Sequence, residues 1–175
     1  MSAPLVSIVI ASYNYDRYLP EAIESALGQI HRPLEVVVVD DGSNDNSVEV
    51  AKRYPVRVIA QANQGVSAAR NRGAAECAGA YIMFLDSDDT IEAGYVETCL
   101  RALADAPPHV AYAYTGMRYF GAEVKVWGSR PFAPRTLIRW NYVHASALIR
   151  HAVFRESGGF DTRWRLGHED HELWV

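Results

Sequence analysis

Two cysteines in 175 residues, Cys77 and Cys99, offer neither a disulfide framework nor a thiolate metal cage. No apolar run approaches the roughly 18 residues a membrane-spanning helix needs; typical runs are 36–39 and 81–85. Dense basic runs are missing as well. Lys and Arg number 17 against 21 Asp and Glu, for a formal net charge of −4, so the footprint of a nucleic-acid surface is absent. The first residues lack the basic region and apolar core of a signal peptide. The expectation is a reduced, cytoplasmic protein or the cytoplasmic part of one. Glycine is absent from 11–17, just after the first apolar run, so no Gly-x-Gly-x-x-Gly opens the first βα turn. A P-loop is missing too. Dinucleotide cofactors and the common NTPase chemistry drop out together.

What is present is 49% hydrophobic and 22% charged, enough for one substantial core. Residues 5–11 (LVSIVIA) and 35–39 (EVVVV) read as strands buried on both faces. A weaker third strand is expected at 56–60, a fourth at 80–85 (AYIMFL) and a fifth at 110–115. Between them, Leu19, Ala22, Ile23, Ala26 and Leu27 recur at helical spacing, and Ser43 or Asp45 is placed to cap a short helix running to Tyr54. Residues 65–79 (GVSAARNRGAAECAG) suit a helix lying close on a sheet, and Tyr95 to Leu103 mark another. This alternation predicts a mixed, mostly parallel α/β sheet with helices on both faces. After about residue 115 the alternation fails. A hairpin around Gly121-Ala122, a loop at 130–134, a strand at 145–149, a helix at 151–156 and a closing helix from His168 or Glu169 are expected. The chain thus reads as one domain, with a nucleotide-binding half over 1–115 and an acceptor-side half over 116–175. The end at 172–175 falls inside an apolar pattern, which suggests a longer protein.

Two predicted strands end in acids, Asp40-Asp41 and Asp86-Ser87-Asp88-Asp89. Carboxylates this close repel one another unless a cation joins them or their pKa values shift. In an extended segment Asp86 and Asp88 would share a side and could point at one ion. Hard oxygen ligands with room for water and phosphate suit Mg²⁺ or Mn²⁺. The bland reading is an acidic turn that caps the next helix, with Asp89 as the cap. Glu169-Asp170 can likewise serve a helix N-terminus, yet one of the two can face a cleft as general base. His144, His168 and His171 could be ligands or acceptor contacts but are better read as solvated or satisfied in the core. Trp127, Trp140, Trp164 and Trp174 could form a sugar-stacking platform, although such residues are more often core.

Six segments in order carry a resemblance. They are residues 6–14 (VSIVIASYN), 35–43 (EVVVVDDGS), 63–73 (NQGVSAARNRG), 80–89 (AYIMFLDSDD), 158–161 (GGFD) and 168–170 (HED) with Leu173-Trp174. Together they resemble a family-2 glycosyltransferase of the GT-A fold, over essentially the whole chain. The resemblance implies inverting transfer of a hexose from a nucleoside-diphosphate sugar, UDP-sugar by default. The acceptor would be a glycan or lipid-linked, as in cell-surface polysaccharide biosynthesis, with peripheral membrane association of the full-length protein at the inner face. Position by position, Ala11 and Tyr13 would line the base pocket and Asp41 would bind the base, with Asp40 supporting the turn. Arg70 would reach the nucleotide. Asp86 and Ser87 would lie near the ribose or a metal-bound water. Asp88, with Asp86 beside it, would hold Mn²⁺ or Mg²⁺. Asp170 would be the base and Glu169 its reserve. Two alternatives stand beside this. Residues 84–90 (FLDSDDT) resemble the Asp-x-Asp-x-Thr nucleophile motif of haloacid-dehalogenase phosphohydrolases, but that motif ends a first strand and here it ends the fourth. A non-catalytic sugar-nucleotide binding module is the other.

Overall fold

The apolar run at 6–10 is almost wholly removed from water, with Val6, Ile8, Val9 and Ile10 at 0% exposure. A strand with no polar face must be covered on both sides, and this one becomes the middle of the sheet. In the computed structural model, which describes residues 2–164 and 169–175, β1 (Val6–Ser12) pairs in parallel with β2 (Leu34–Asp40) and β4 (Tyr81–Asp86). β3 (Arg57–Ala60) adds in parallel outside β2. On the far side β8 (Leu148–Arg150) runs antiparallel to β4 and to β5 (Tyr112–Ala113), giving the order β3-β2-β1-β4-β8-β5. The segment expected as a strand over 110–115 thus holds only two paired residues. The slot beside β4 is taken instead by β8, expected at 145–149 and found slightly later. Arg150 pins it there, donating to the backbone oxygens of Val110 and Leu103 and to the Tyr81 hydroxyl at 2.9–3.0 Å.

Side chains alternate across the sheet as the pleat requires. Val6, Ile8, Ile10, Val36, Val38, Met83 and Leu85 face one core, under α1 (Leu19–Leu27), α2 (Ser47–Ala51) and α4 (Tyr95–Asp105). Val9, Val37, Val39, Ile82 and Phe84 face the other, under α3 (Val66–Ala75), α5 (Pro134–Leu137), α6 (His151–Ser157) and α7 (Glu169–Trp174). The small residues of α3 have a concrete purpose. A Cβ at Gly73 would stand 2.4 Å from Val9 Cγ1 and 3.1 Å from Val39 Cγ2, so the helix lies directly on the strands.

Several local expectations need correction. α2 stops at Ala51 rather than Tyr54, because its last turn tightens into bonds from Arg53 N to Val50 O and from Tyr54 N to Ala51 O. Of its two candidate caps, Asp45 accepts from Ser47 N at 3.0 Å, whereas Ser43 accepts from Asn14 N on another loop. The short helix α5 stands where the predicted loop closes, with Pro134 in its first turn, where a missing N–H costs nothing. The hairpin β6 (Met117–Tyr119) and β7 (Lys125–Trp127) forms around residues 120–124 as expected. The expected start of α7 at His168 lies outside the described residues. No described helix is long and apolar enough to cross a membrane.

Candidate functional site

Strand order reverses between β1 and β4, and that switch point opens a crevice beyond the strands' carboxyl ends. Ala11 pairs with both Val39 and Asp86, and Ser12 pairs with Asp40, so the two acidic strand ends flank the end of β1. Beyond it Tyr13 stands 44% exposed at the rim. The β1–α1 loop is stitched to the β2–α2 loop. Asn14, at φ 58°, donates from its N to Ser43 Oγ and accepts from Asn44 N, while Asp16 N donates to Asp45.

Asp41, 3% exposed, accepts from Gln61 Nε2, Gln64 N and Gly65 N at 2.8–2.9 Å. Both its oxygens therefore hold the loop that leads into α3. A base N–H reaching Asp41 would share or displace one of those donors. Asp40 supports the turn through Ser43 N, and among the described residues its other oxygen is enclosed with no partner, as is the Ser12 hydroxyl beside it.

The acids after β4 do not form the extended segment that the sequence suggests. Ser87 and Asp88 make a turn closed by Asp89 N donating to Asp86 O at 3.1 Å, so alternation no longer fixes which carboxylates share a side. The wall of the adjoining cavity, of about 330 Å³, carries Asp86 and Asp89, while Ser87 is buried and Asp88 is exposed. Asp89 does not cap the next helix. α4 begins at Tyr95 behind Gly94, with no side-chain cap. Desolvation first, then the charges of Asp86 and Asp88, push the Asp89 carboxyl up to about 6.

The opposite wall comes from the far end of the chain. Arg70, on the face of α3 that Gly73 holds against β1, is buried, with its side chain only 4% exposed. One terminal nitrogen donates to Asp86 Oδ1 at 2.6 Å and the other to Glu169 Oε1 at 2.8 Å. Desolvation works against its charge, but the two carboxylates overcome it and raise its pKa. The guanidinium also lies 5.1 Å from the Phe160 ring centroid. Each terminal nitrogen thus commits one N–H to a carboxylate, and a reach to a nucleotide would draw on the guanidinium's remaining N–H groups. Asp170 also lines the cavity. Its Oδ2 accepts from Asn141 Nδ2 at 2.9 Å, and its Oδ1 accepts from His171 N.

A scan against family models matches residues 7–167 to Glycosyl transferase family 2. The chain belongs to that family. Among curated relatives, the glycosyltransferase GlyA of Streptococcus pneumoniae is 36% identical over 127 residues, covering 66% of this chain and 18% of GlyA. Among solved structures, a Pyrobaculum calidifontis mannosyltransferase, PcManGT, in complex with GDP-Man and Mn²⁺, superposes with a TM-score of 0.73 at 21% identity, over 98% of this chain and 51% of its own. TarS of S. aureus in complex with UDP gives 0.70 at 20%, over 96% and 53%. At such identities the two structures show the fold, which is GT-A. The chain spans about half of each structure's length and under a fifth of GlyA.

For a family-2 chain, the donor set after β4 suits a hard divalent cation. Asp88 and Asp89 have no side-chain hydrogen bond or ion pair among the described residues, and Asp86 is held through Oδ1 alone. Among the described residues no three His, Cys, Asp or Glu side chains converge well enough to hold an ion by themselves. A cation here would complete its shell with water or ligand oxygens.

Several site residues gave no sequence signal. Asn141, which holds Asp170, is one. Asn71 is another, accepting from Phe160 N and donating to Phe160 O at 2.8–2.9 Å. That contact explains Gly159, whose Cβ would meet Asn71 Oδ1 at 2.6 Å. His144 lines the cavity too. Burial lowers its pKa despite the opposing pull of Thr115 O, Asp170 and Asp86, so it is held neutral. His171 contacts Leu137 O and ties α7 to α5, a structural part. Trp174 is core, 4.8 Å from Tyr112, and Trp164 is exposed.

Proposed function

We propose that this chain is the donor-binding and catalytic core of an inverting glycosyltransferase. It would move a sugar, a hexose by preference, from a nucleoside-diphosphate sugar to an acceptor hydroxyl. The observation that carries this reading is one cavity with Asp86 and Asp89 on one wall and Asp170 on another. A donor's diphosphate belongs beside the first wall and an acceptor hydroxyl beside the second. Ala11, Tyr13 and Asp41 are the base-side candidates, with Ser87 and Asp86 toward the ribose. Arg70 orients Asp86, and Asp88 with Asp86 would hold Mn²⁺ or Mg²⁺. Such an ion, when bound, offsets charge on the departing diphosphate. Residues 1–115 serve as the donor half and 116–175 as the acceptor-side half of one domain.

Asp170 is a better base than Glu169. Glu169 is already committed to the Arg70 guanidinium, whereas Asp170 accepts only from the neutral Asn141 amide and the His171 N–H and lines the cavity. In the transfer, the acceptor oxygen bonds to the anomeric carbon from the face opposite the diphosphate. The carbon–phosphate-oxygen bond breaks, its electron pair leaves on the diphosphate, and the hydroxyl proton goes to Asp170. General-base assistance of this kind is worth ~10²–10⁴-fold. UDP is the default nucleotide, and a glycan or lipid-linked acceptor at the inner membrane face is the expected setting. Nothing in the site favours a phosphohydrolase.

Calorimetry with UDP and Mn²⁺ tests the donor half. Wild type is expected to bind UDP only with the cation, and Asp88→Ala to lose that binding. Binding indifferent to the cation refutes the assignment. In a protein carrying any further segments its relatives possess, Asp170→Asn is expected to keep donor binding and lose transfer. Near-wild-type transfer by that variant would remove Asp170 as the base.

A further inference from the structure

A second cavity of about 160 Å³ opens beside the first and shares Met117, Asn141 and Tyr142 with it. Asn141 is the residue whose Nδ2 holds Asp170 Oδ2. Whatever fills the second cavity therefore meets the base across one side chain. Its remaining wall comes from the β6–β7 hairpin and the segment around α5, through Tyr119, Trp127, Arg130 and Trp140. The rings of Trp127 and Trp140 stand 5.7 Å apart, and Trp140 lies 6.4 Å from Tyr142. Trp140 and Tyr119 are 41% and 51% exposed, so these aromatics cluster without being core.

The polar groups narrow the occupant. Trp127 Nε1 is enclosed and has no acceptor among the described residues. An indole N–H in that state costs free energy until an oxygen reaches it. Arg130 sits 4.8 Å over the Trp140 ring, and among the described residues no carboxylate lines the cavity. An acyl chain would match the rings but leave the indole N–H and guanidinium unanswered. A pyranose matches both kinds of group. Its C–H face packs on aromatic rings, and its hydroxyl and ring oxygens accept from N–H donors.

We propose that this cleft is the acceptor subsite and takes the pyranose ring of a glycan, stacked on the Trp127–Trp140 pair. Its reactive hydroxyl then passes over Asn141 toward Asp170. The assignment rests on Asp170 being the base, but the binding it describes is measured without donor or turnover.

The test is saturation-transfer NMR on the whole chain with the methyl glycosides of glucose, galactose and N-acetylglucosamine, and with octyl glucoside. Ring C–H protons of at least one glycoside are expected to receive saturation. Trp140→Ala should weaken that binding about fivefold, which corresponds to an aromatic contact of about 1 kcal/mol. UDP–Mn²⁺ calorimetry on the same variant reports whether the fold and donor site are intact. If Trp140→Ala fails to fold, Tyr119→Ala replaces it, with the same loss expected. The proposal is overturned if no glycoside ring receives saturation, if the variant binds as well as wild type, or if only the octyl protons respond. Glycoside binding without UDP binding would keep the subsite and sink the donor reading; the reverse would do the opposite.

Discussion

Replacing Arg70 with methionine removes the cation that bridges Asp86 and Glu169 while keeping a long apolar stem. The cost divides in two. Glu169, 12% exposed, is left as an uncompensated buried charge, and breaking such a pair costs about 3–5 kcal/mol. Asp86 is 40% exposed, so water screens its half of the loss to about 1 kcal/mol or less. Some of the total is recovered as Asp86 turns to solvent, which leaves about 4 kcal/mol. With a urea slope of about 2 kcal/mol per molar for a domain of this size, the midpoint should fall by about 2 M. The second variant decides the mechanism. Adding Glu169→Gln to Arg70→Met deletes the orphaned charge and should restore about 2 kcal/mol, so the double variant is more stable than the single. Equal midpoints for wild type and Arg70→Met, or a double variant no better than the single, would falsify the account of Arg70 as a charge bridge.

Other expectations follow from separate contacts. Gly73→Ala puts a methyl group 2.4 Å from Val9 Cγ1 and should destabilise by about 1–3 kcal/mol despite the better helix propensity, as read from urea midpoints. Asn141→Ala frees Asp170 Oδ2 and is expected to lower kcat of the complete enzyme by about tenfold with donor affinity unchanged; an equal loss in KM for donor argues against it. Asp89 makes a pH prediction. Its folded pKa of about 6 lies above the ordinary value of 3.8, so the folded state holds the proton more tightly than the unfolded state. That contribution is fully present below the ordinary value and is lost as pH rises through about 6. Relative to Asp89→Asn, metal-free wild type should therefore lose Tm between about pH 4 and pH 7. A Tm difference independent of pH refutes it. Saturating Mn²⁺ should flatten the difference, because a bound cation favours the ionised carboxylate.

What the sequence made legible was what depends on local pattern. The strands β1, β2 and β4 are buried on both faces, and apolar runs announce that directly. The crevice followed from the same pattern, since alternating strands and helices fix where acidic strand ends must gather. The order of β4, β8 and β5 was hidden, because two-residue pairings are chosen by distant partners such as Arg150 rather than by their own sequence. The Asp86–Asp89 turn was misread as extended because a strand-end motif gives no sign of where pleating stops. The contact of Arg70 with Glu169 spans 99 positions and leaves no periodic trace. Asn141 and Asn71 act through single amides whose targets are set by the packed fold.

Helix α3 has a consequence for how this domain can vary in length. Neighbouring residues on a helix point about 100° apart, as 3.6 residues per turn require. Arg70 therefore grips Asp86 and Glu169 while Asn71, next to it, grips the backbone at Phe160. Gly73 fixes the rotation of the whole helix against Val9. Removing Arg72, which separates these grips from Gly73, would turn both away from their targets at once, uncoupling the strand-end acids from the final helix. The segments 61–65 and 76–80 lie outside that gauge. The second of them is pinned separately, by Ala78 N and Gly79 N donating to Glu35, while α3 itself should admit substitutions but not changes of length.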